Sequence, residues 1–170
     1  MKSQVNVLPK KCNRAGWPAG PWDSEPDYEG WISTGERGDD YPLRCEIWRM
    51  PDLGHLCGYV IVPAGHPWCG LGCLGEPAPV DVHGGITFAR APTHGDGWVL
   101  GFDCAHAGDF YPADHVQRAY SRSGVYRDCA YVRAECEKLA QQVREQLDAI
   151  ERAGIPQRTP SVGEAWEPGI

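Results

Sequence analysis

Apolar side chains recur every three or four positions through residues 126–153, which is the spacing of one face of an amphipathic helix. Asp128 is placed to cap its first turn, and Gly154 with Pro156 would end it. The pattern therefore predicts one long C-terminal helix that lies across a sheet. Its apolar stripe comprises Cys129, Val132, Cys136, Leu139, Val143, Leu147 and Ile150.

Two shorter apolar runs, at residues 43–50 and 55–62, have the length and β-branched content of strands. The intervening PDLG is typical of a tight turn, so the runs are predicted to form a hairpin. The second run is almost entirely apolar, which favours a central position in the sheet. Residues 63–78, rich in Gly and Pro, are predicted to form a long loop.

A second strand pair is predicted at residues 79–90 and 97–104, joined by a hairpin turn in THGDG. With that turn centred near His94, antiparallel pairing brings His83 next to residues 104–107. Two motifs about twenty residues apart in the chain, VDVHGGITF and GFDCAHAGD, thus become neighbours in space.

These elements define an α+β fold: a small antiparallel β-sheet with hairpins, one long C-terminal helix packed on it and many loops. We expect an irregular N-terminal segment at 1–40, an α+β domain at 41–154 and a loose C-terminal tail at 155–170. The 21 glycines and 15 prolines agree with a loop-rich chain.

Charge and composition narrow the function. The 170 residues carry a net charge of −7, which disfavours nucleic-acid binding. No apolar run is long enough to span a membrane, and the first residues lack the apolar core of a secretory signal. We therefore expect a cytoplasmic protein, whose eight cysteines are thiols or metal ligands rather than disulfides.

The chemistry is predicted to lie in residues 79–109, where groups able to ligate, protonate or attack are concentrated. Gly84 and Gly85 follow the first of them, and paired glycines in an extended segment mark a close approach, here to a ligand. The candidate catalytic residues are His83, Asp103, Cys104, His106 and Asp109.

Three interpretations of this cluster stay open. His83, His106 and Asp109 could hold a divalent metal such as zinc, which would activate water for hydrolysis. Without a metal, His83 or His106 could act as general acid or base, oriented by a carboxylate. Alternatively, Cys104 could be a nucleophile with His83 as its base.

Aromatic side chains flank the cluster, and we expect Trp98 and Tyr111 to contact a ligand such as a nucleobase. Cations for a phosphate are sought at Arg90, Arg118 and Arg122.

A second group of potential ligands surrounds the Gly/Pro loop. A structural zinc site there would stabilise the loop. Its members would be His55, Cys57, His66, Cys69 and Cys73.

About half of the chain resembles a family of small proteins encoded mainly by bacteriophages and some bacteria. The resemblance rests on CGYVIVPAGHP, VDVHGGITF, WVLGFDCAHAGD and YRDCAYVRAECEKLAQQV. It implies action inside a bacterial host cell but no particular mechanism. Small phage proteins often disarm host defences, some of which signal through cyclic or modified nucleotides.

The leading hypothesis is a small hydrolase that acts on a nucleotide-like small molecule, such as a host defence signal. A non-enzymatic sponge that sequesters such a molecule is the alternative. A protein-binding inhibitor ranks last, with DSEPDYE and GERGDDY imitating an anionic partner. A homo-oligomer is compatible with all three.

Overall fold

The computed structural model describes residues 11–35, 41–72, 78–93, 95–113 and 124–154. They form one antiparallel sheet with the strand order β1-β2-β3-β5-β4, and one long helix follows the last strand. This is the predicted α+β architecture. The elements are β1 (Tyr28–Ser33), β2 (Leu43–Arg49), β3 (Leu56–Val62), β4 (Phe88–Arg90), β5 (Trp98–Asp103) and α1 (Cys129–Arg152).

The β2–β3 hairpin matches its prediction, and β3 is the middle strand of the five. Side chains alternate across the sheet, so that Leu56, Val60 and Val62 face α1. Gly58 lies on the same face, where a Cβ atom would stand 2.5 Å from the Phe102 ring and 2.6 Å from the Cys136 sulfur. The missing side chain lets helix and sheet pack closely.

Helix α1 begins and packs as its periodicity predicts. Asp128 caps it, since Oδ1 of Asp128 accepts a hydrogen bond of 2.8 Å from the backbone N–H of Tyr131. Five members of the predicted stripe are fully buried, each worth about 1.5–3 kcal/mol relative to an exposed position. These are Val132, Cys136, Leu139, Val143 and Leu147.

Part of the segment expected to be irregular forms β1, the edge strand next to β2. Glu25 and Asp27, just before it, pair with the buried Arg49 at 2.9 and 3.1 Å. The other Glu25 oxygen accepts the backbone N–H of Cys129 at the start of α1. Long-range ion pairs therefore order this segment. Such contacts produce no hydrophobic periodicity in the sequence, so the pattern of apolar residues did not predict this strand.

The prediction of a strand at 79–90 is wrong for most of these residues, since only Phe88–Arg90 pair with β5. Gly84 and Gly85 have φ angles of +65° and +82°, which end the extended conformation. Before this turn, Asp81 lies against α1, where the Gln142 amide bonds its backbone N–H and C=O, both at 2.8 Å. The segment thus leaves the sheet and crosses over the helix.

His66 fixes the loop after β3 to α1. Its Nδ1 accepts the backbone N–H of Trp68 at 3.0 Å, and Nε2–H donates to the carbonyl of Val143 at 3.2 Å. The ring is 2% exposed, and burial lowers its pKa. In neutral His66 both ring nitrogens thus have hydrogen-bond partners, whereas a proton on Nδ1 would replace the hydrogen bond from Trp68 with repulsion between two N–H groups.

We predict that the free energy of unfolding falls as the pH drops below about 6.5, because the unfolded chain then binds a proton that folded His66 refuses. His66→Asn keeps an acceptor for Trp68 but cannot titrate. Urea unfolding between pH 5 and 7.5 should therefore show a smaller slope for His66→Asn than for the wild type. Equal slopes would contradict this role for His66.

Candidate functional site

The Asp109 carboxylate is the centre of the candidate site. Its Oδ2 accepts hydrogen bonds from Nε2 of His83 at 2.8 Å and from the backbone N–H of His106 at 3.0 Å. Its Oδ1 accepts from Nε of Arg127 at 2.9 Å. Burial would raise the pKa of this carboxyl, but the three hydrogen bonds outweigh burial and lower it. Asp109 is therefore an ionised and nearly inaccessible acceptor.

A short backbone pairing brings Arg127 to this carboxylate. Val125 donates its N–H to the carbonyl of Gly108 at 2.8 Å and accepts the N–H of Phe110 at 3.1 Å. The chain from Val125 then leads directly into α1. Arg127 also lies over the ring of Tyr131, with 4.7 Å between its guanidinium carbon and the ring centroid.

His83 is fixed through both ring nitrogens and through its backbone. Ionised Asp109 only accepts, so the proton of a neutral His83 ring lies on Nε2 and Nδ1 accepts from the Tyr131 hydroxyl at 3.0 Å. The backbone N–H of His83 donates to Oε2 of Glu135 at 2.7 Å. The polar face of α1 thus sets the position of this histidine.

His106 lies against the turn that carries His83. A Cβ atom on Gly84 would stand 2.1 Å from the His106 ring, so only glycine admits this approach. The centroids of the His83 and His106 rings are 5.4 Å apart. Nδ1 of His106 is buried without a hydrogen-bond partner. It lies 3.8 Å from Oδ1 of Asp103 and 3.8 Å from Oδ2 of Asp109.

His83, His106 and Asp109 each offer one ligand atom, and these atoms lie within 4.8 Å of one another. Zinc bonds of 2.0–2.2 Å place tetrahedral ligand atoms roughly 3.4 Å apart. Around an ion, the 2.8 Å between Nε2 of His83 and Oδ2 of Asp109 would therefore widen, and the 3.8 Å between Nδ1 of His106 and Oδ2 of Asp109 would shorten. Two histidines and a carboxylate are a frequent ligand set of catalytic zinc. These are the residues that the sequence singled out as metal ligands.

The other predicted catalytic residues differ in their placement. Asp103 ends β5 beside His106, and its Oδ1 accepts the backbone N–H of Ala105 at 3.0 Å. Cys104 is 2% exposed within the core beneath α1, and burial raises the pKa of its thiol. A buried thiol that resists ionisation is unsuited to nucleophilic attack, so the structure argues against that interpretation.

Neither aromatic residue predicted to bind a ligand stacks over the cluster. Trp98 lies at the opposite end of β5 from Asp103, about 17 Å away along the strand, and bonds the carbonyl of Leu71. The Tyr111 hydroxyl donates to the carbonyls of Ala105 and His106, at 3.0 and 3.3 Å, and so supports the His106 loop.

Sequence reasoning missed Arg127, Tyr131 and Glu135, which follow one another at intervals of four. That spacing places Tyr131 and Glu135 on one side of α1, with Arg127 just before the helix, and it is the signal that could have found them. Of the arginines proposed instead, Arg90 lies over the Phe88 ring. Arg118 and Arg122 fall outside the described residues.

The second group of potential ligands is not gathered at one place. His55 and Cys57 stand at the start of β3, whereas His66 and Cys69 follow its end, roughly 20 Å away along the strand. His66 already has partners at both ring nitrogens, and Cys69 donates to the carbonyl of Pro63. Cys73 lies outside the described residues. None of the seven described cysteines forms a disulfide.

No protein-family model, curated protein or solved structure matches this chain. Within the described ranges, no helix combines the length and apolarity needed to cross a membrane.

The two glycines after His83 provide a matched test of the close packing in the site. Both have positive φ, so alanine at either costs about 1–2 kcal/mol of stability. A Cβ atom at Gly85 meets open space, whereas one at Gly84 collides with His106. We predict that Gly84→Ala is destabilising by about 1–3 kcal/mol more than Gly85→Ala in urea unfolding. Equal losses would show that His106 does not lie where described.

Proposed function

We propose that the protein is a small metal-dependent hydrolase that cleaves a phosphate ester bond in a nucleotide-like small molecule. The observation that carries this proposal is the orphan Nδ1 of His106, buried beside His83 and Asp109. A buried polar atom without a partner is unfavourable, and a divalent cation at this position would satisfy it.

Bound zinc or a similar ion would supply a hydroxide nucleophile by lowering the pKa of a coordinated water to about 7. The chain's own residues then have separate roles. With Nε2 of His83 as a ligand, the ring proton would lie on Nδ1 and donate to the Tyr131 hydroxyl, which would keep the ring oriented. A proton released by the water would pass to solvent at the partly exposed side of the cluster, where the His106 side chain is 32% exposed.

Arg127 supports a phosphate as the reacting group. Its Nε is engaged by Asp109, and its side chain remains 27% exposed at the edge of the cluster. A guanidinium there can neutralise phosphate oxygens as charge builds up during attack. In such a reaction a P–O bond to the hydroxide would form, the ester P–O bond would break, and the leaving oxygen would take a proton from solvent.

The net charge of the chain favours a small substrate. A net charge of −7 repels a polyanion, which favours a single nucleotide-like molecule over a nucleic acid. The resemblance to phage-encoded proteins suggests a host defence signal as the substrate, hydrolysed in the cytoplasm of the bacterial cell.

Zinc titration by calorimetry tests the ligand set. Metal-depleted wild type should bind one Zn²⁺ per chain, and His83→Ala and His106→Ala should each weaken binding by roughly 100-fold or more. His66→Asn is the matched control, because it alters a histidine outside the group and should bind zinc as the wild type does. Wild-type affinity in both alanine variants would refute the site.

Hydrolysis is tested with bis(p-nitrophenyl) phosphate in the presence of Zn²⁺ or Mn²⁺. The wild type and His66→Asn should release p-nitrophenol, and the two alanine variants should not. Activity that survives loss of both His83 and His106 would contradict their assignment.

A second candidate function, a sponge that binds such a molecule without cleaving it, is favoured by the bonding of His83. Both its ring nitrogens already have partners, so without a metal it has no free nitrogen for proton transfer. After incubation with cyclic di-AMP and heat denaturation of the protein, release of intact ligand would favour the sponge. Appearance of mononucleotides would favour the hydrolase.

The protein-binding inhibitor gains no support from DSEPDYE. Glu25 and Asp27 turn inward to Arg49, so these carboxylates are not displayed to a partner. Most of GERGDDY falls outside the described residues.

A further inference from the structure

The sheet face opposite α1 holds a cavity of about 330 Å³, and Asp103, which lies beside His106, is among its lining residues. Tyr59 and Cys57 on β3 point to this face, because their neighbours Leu56 and Val60 pack under the helix. The volume is within the range of small-molecule sites. Its walls include Met50, His55, Tyr59, Phe88, Phe102 and Asp103.

Aromatic rings form one side of this cavity. Tyr59 packs over Gly101, where a Cβ atom would stand 2.5 Å from the ring. Phe88, paired with Gly101 in the sheet, meets Tyr59 edge to face with 5.4 Å between the ring centroids. Flat apolar walls of this kind suit a planar ring system.

The polar groups of the cavity select the kind of ring. Asp52 and Asp103 contribute carboxylates, and none of its described lining residues is a cation. Nδ1 of His55 is buried there without a hydrogen-bond partner. Carboxylates repel an anion and accept from N–H groups, so the cavity favours a neutral ring that carries an amino donor.

Asp103 joins the cavity to the cluster. It lines the cavity, and its Oδ1 lies 3.8 Å from Nδ1 of His106. Tyr111 spans the same boundary, with its ring 6.2 Å from that of His55 and its hydroxyl on the His106 carbonyl. A molecule with its ring in the cavity would therefore contact the same Asp103 side chain that lies beside His106, and a phosphate on that molecule could extend past Asp103 toward the cluster.

We propose that this cavity binds the nucleobase of the substrate and selects bases with an exocyclic amino group, namely cytosine, adenine or guanine. The placement of the phosphate rests on the proposed function, whereas the recognition of the base does not require catalysis or a metal. The amino group would donate to Asp103, and uracil, which presents a carbonyl at the equivalent position, would meet the same carboxylate unfavourably.

Cytidine and uridine are the probes, since they differ only in the amino or carbonyl group at C4 and in the adjacent N3, which carries a hydrogen in uridine, and neither has a phosphate. In NMR titrations of ¹⁵N-labelled wild type with EDTA present, we expect cytidine to bind roughly tenfold more tightly than uridine, as one hydrogen bond to a charged acceptor allows. The largest shift changes should fall on residues of β3 and β4. Equal binding, no binding, or shifts confined to other elements would overturn the proposal.

Three variants sharpen the test. Thr87→Trp places a large ring in the cavity from an exposed position and should abolish cytidine binding, whereas Ile32→Trp is the control, exposed on the far edge strand of the same sheet. Asp103→Asn should bring the cytidine-to-uridine ratio close to one. A ratio that stays near ten in Asp103→Asn would refute selection by this carboxylate.

The two proposals can fail separately. Loss of nucleoside selectivity with intact zinc binding would remove the base site and leave the hydrolase. Nucleoside selectivity without zinc binding or hydrolysis would keep the base site and remove the hydrolase.

Discussion

The arrangement of the site depends on burial of one ionised carboxylate. Asp109 is 3% exposed, and a buried charge without partners costs several kcal/mol. Its three N–H donors come from three parts of the chain. His83 lies in the turn before β4, His106 lies in the same loop as Asp109, and Arg127 lies just before α1. Satisfying this one charge holds these three segments together, and their meeting point is the cluster that could bind a metal.

One face of helix α1 packs in the core, and another face contacts the candidate site. Its apolar stripe is buried on β2 and β3. Its polar side presents Tyr131, Glu135 and Gln142 to the segment of residues 81–83, through backbone and side-chain hydrogen bonds. Because one rigid element carries both sets of contacts, the position of His83 is set relative to the sheet, and hence to Asp103 and His106 at the end of β5.

The sequence patterns predicted those elements whose conformation depends on the residues within the element itself. The period of α1 and the apolar runs of β2 and β3 predicted these three elements. His83 does lie near His106 and Asp109 as expected, but a turn held on α1 brings it there, and not the predicted strand pairing. The failures lie where a distant contact decides. VDVHGGITF alternates like a strand, yet Gly84 turns it away and Gln142 holds it on the helix. Arg127 reaches Asp109 because Val125, two residues before Arg127, pairs with Asp109 along the backbone. The burial of Cys104 beneath α1 likewise depends on the packing of the helix, which no local pattern around this residue shows.

We propose that His83, His106 and Asp109 together hold a divalent cation. Anomalous diffraction at the zinc absorption edge, from crystals of metal-depleted protein soaked in Zn²⁺, tests it most directly. We predict one strong peak in contact with Nε2 of His83, Nδ1 of His106 and a carboxylate oxygen of Asp109. A peak elsewhere with none at these atoms, or no peak in crystals that accept zinc from solution, would rule out this metal site.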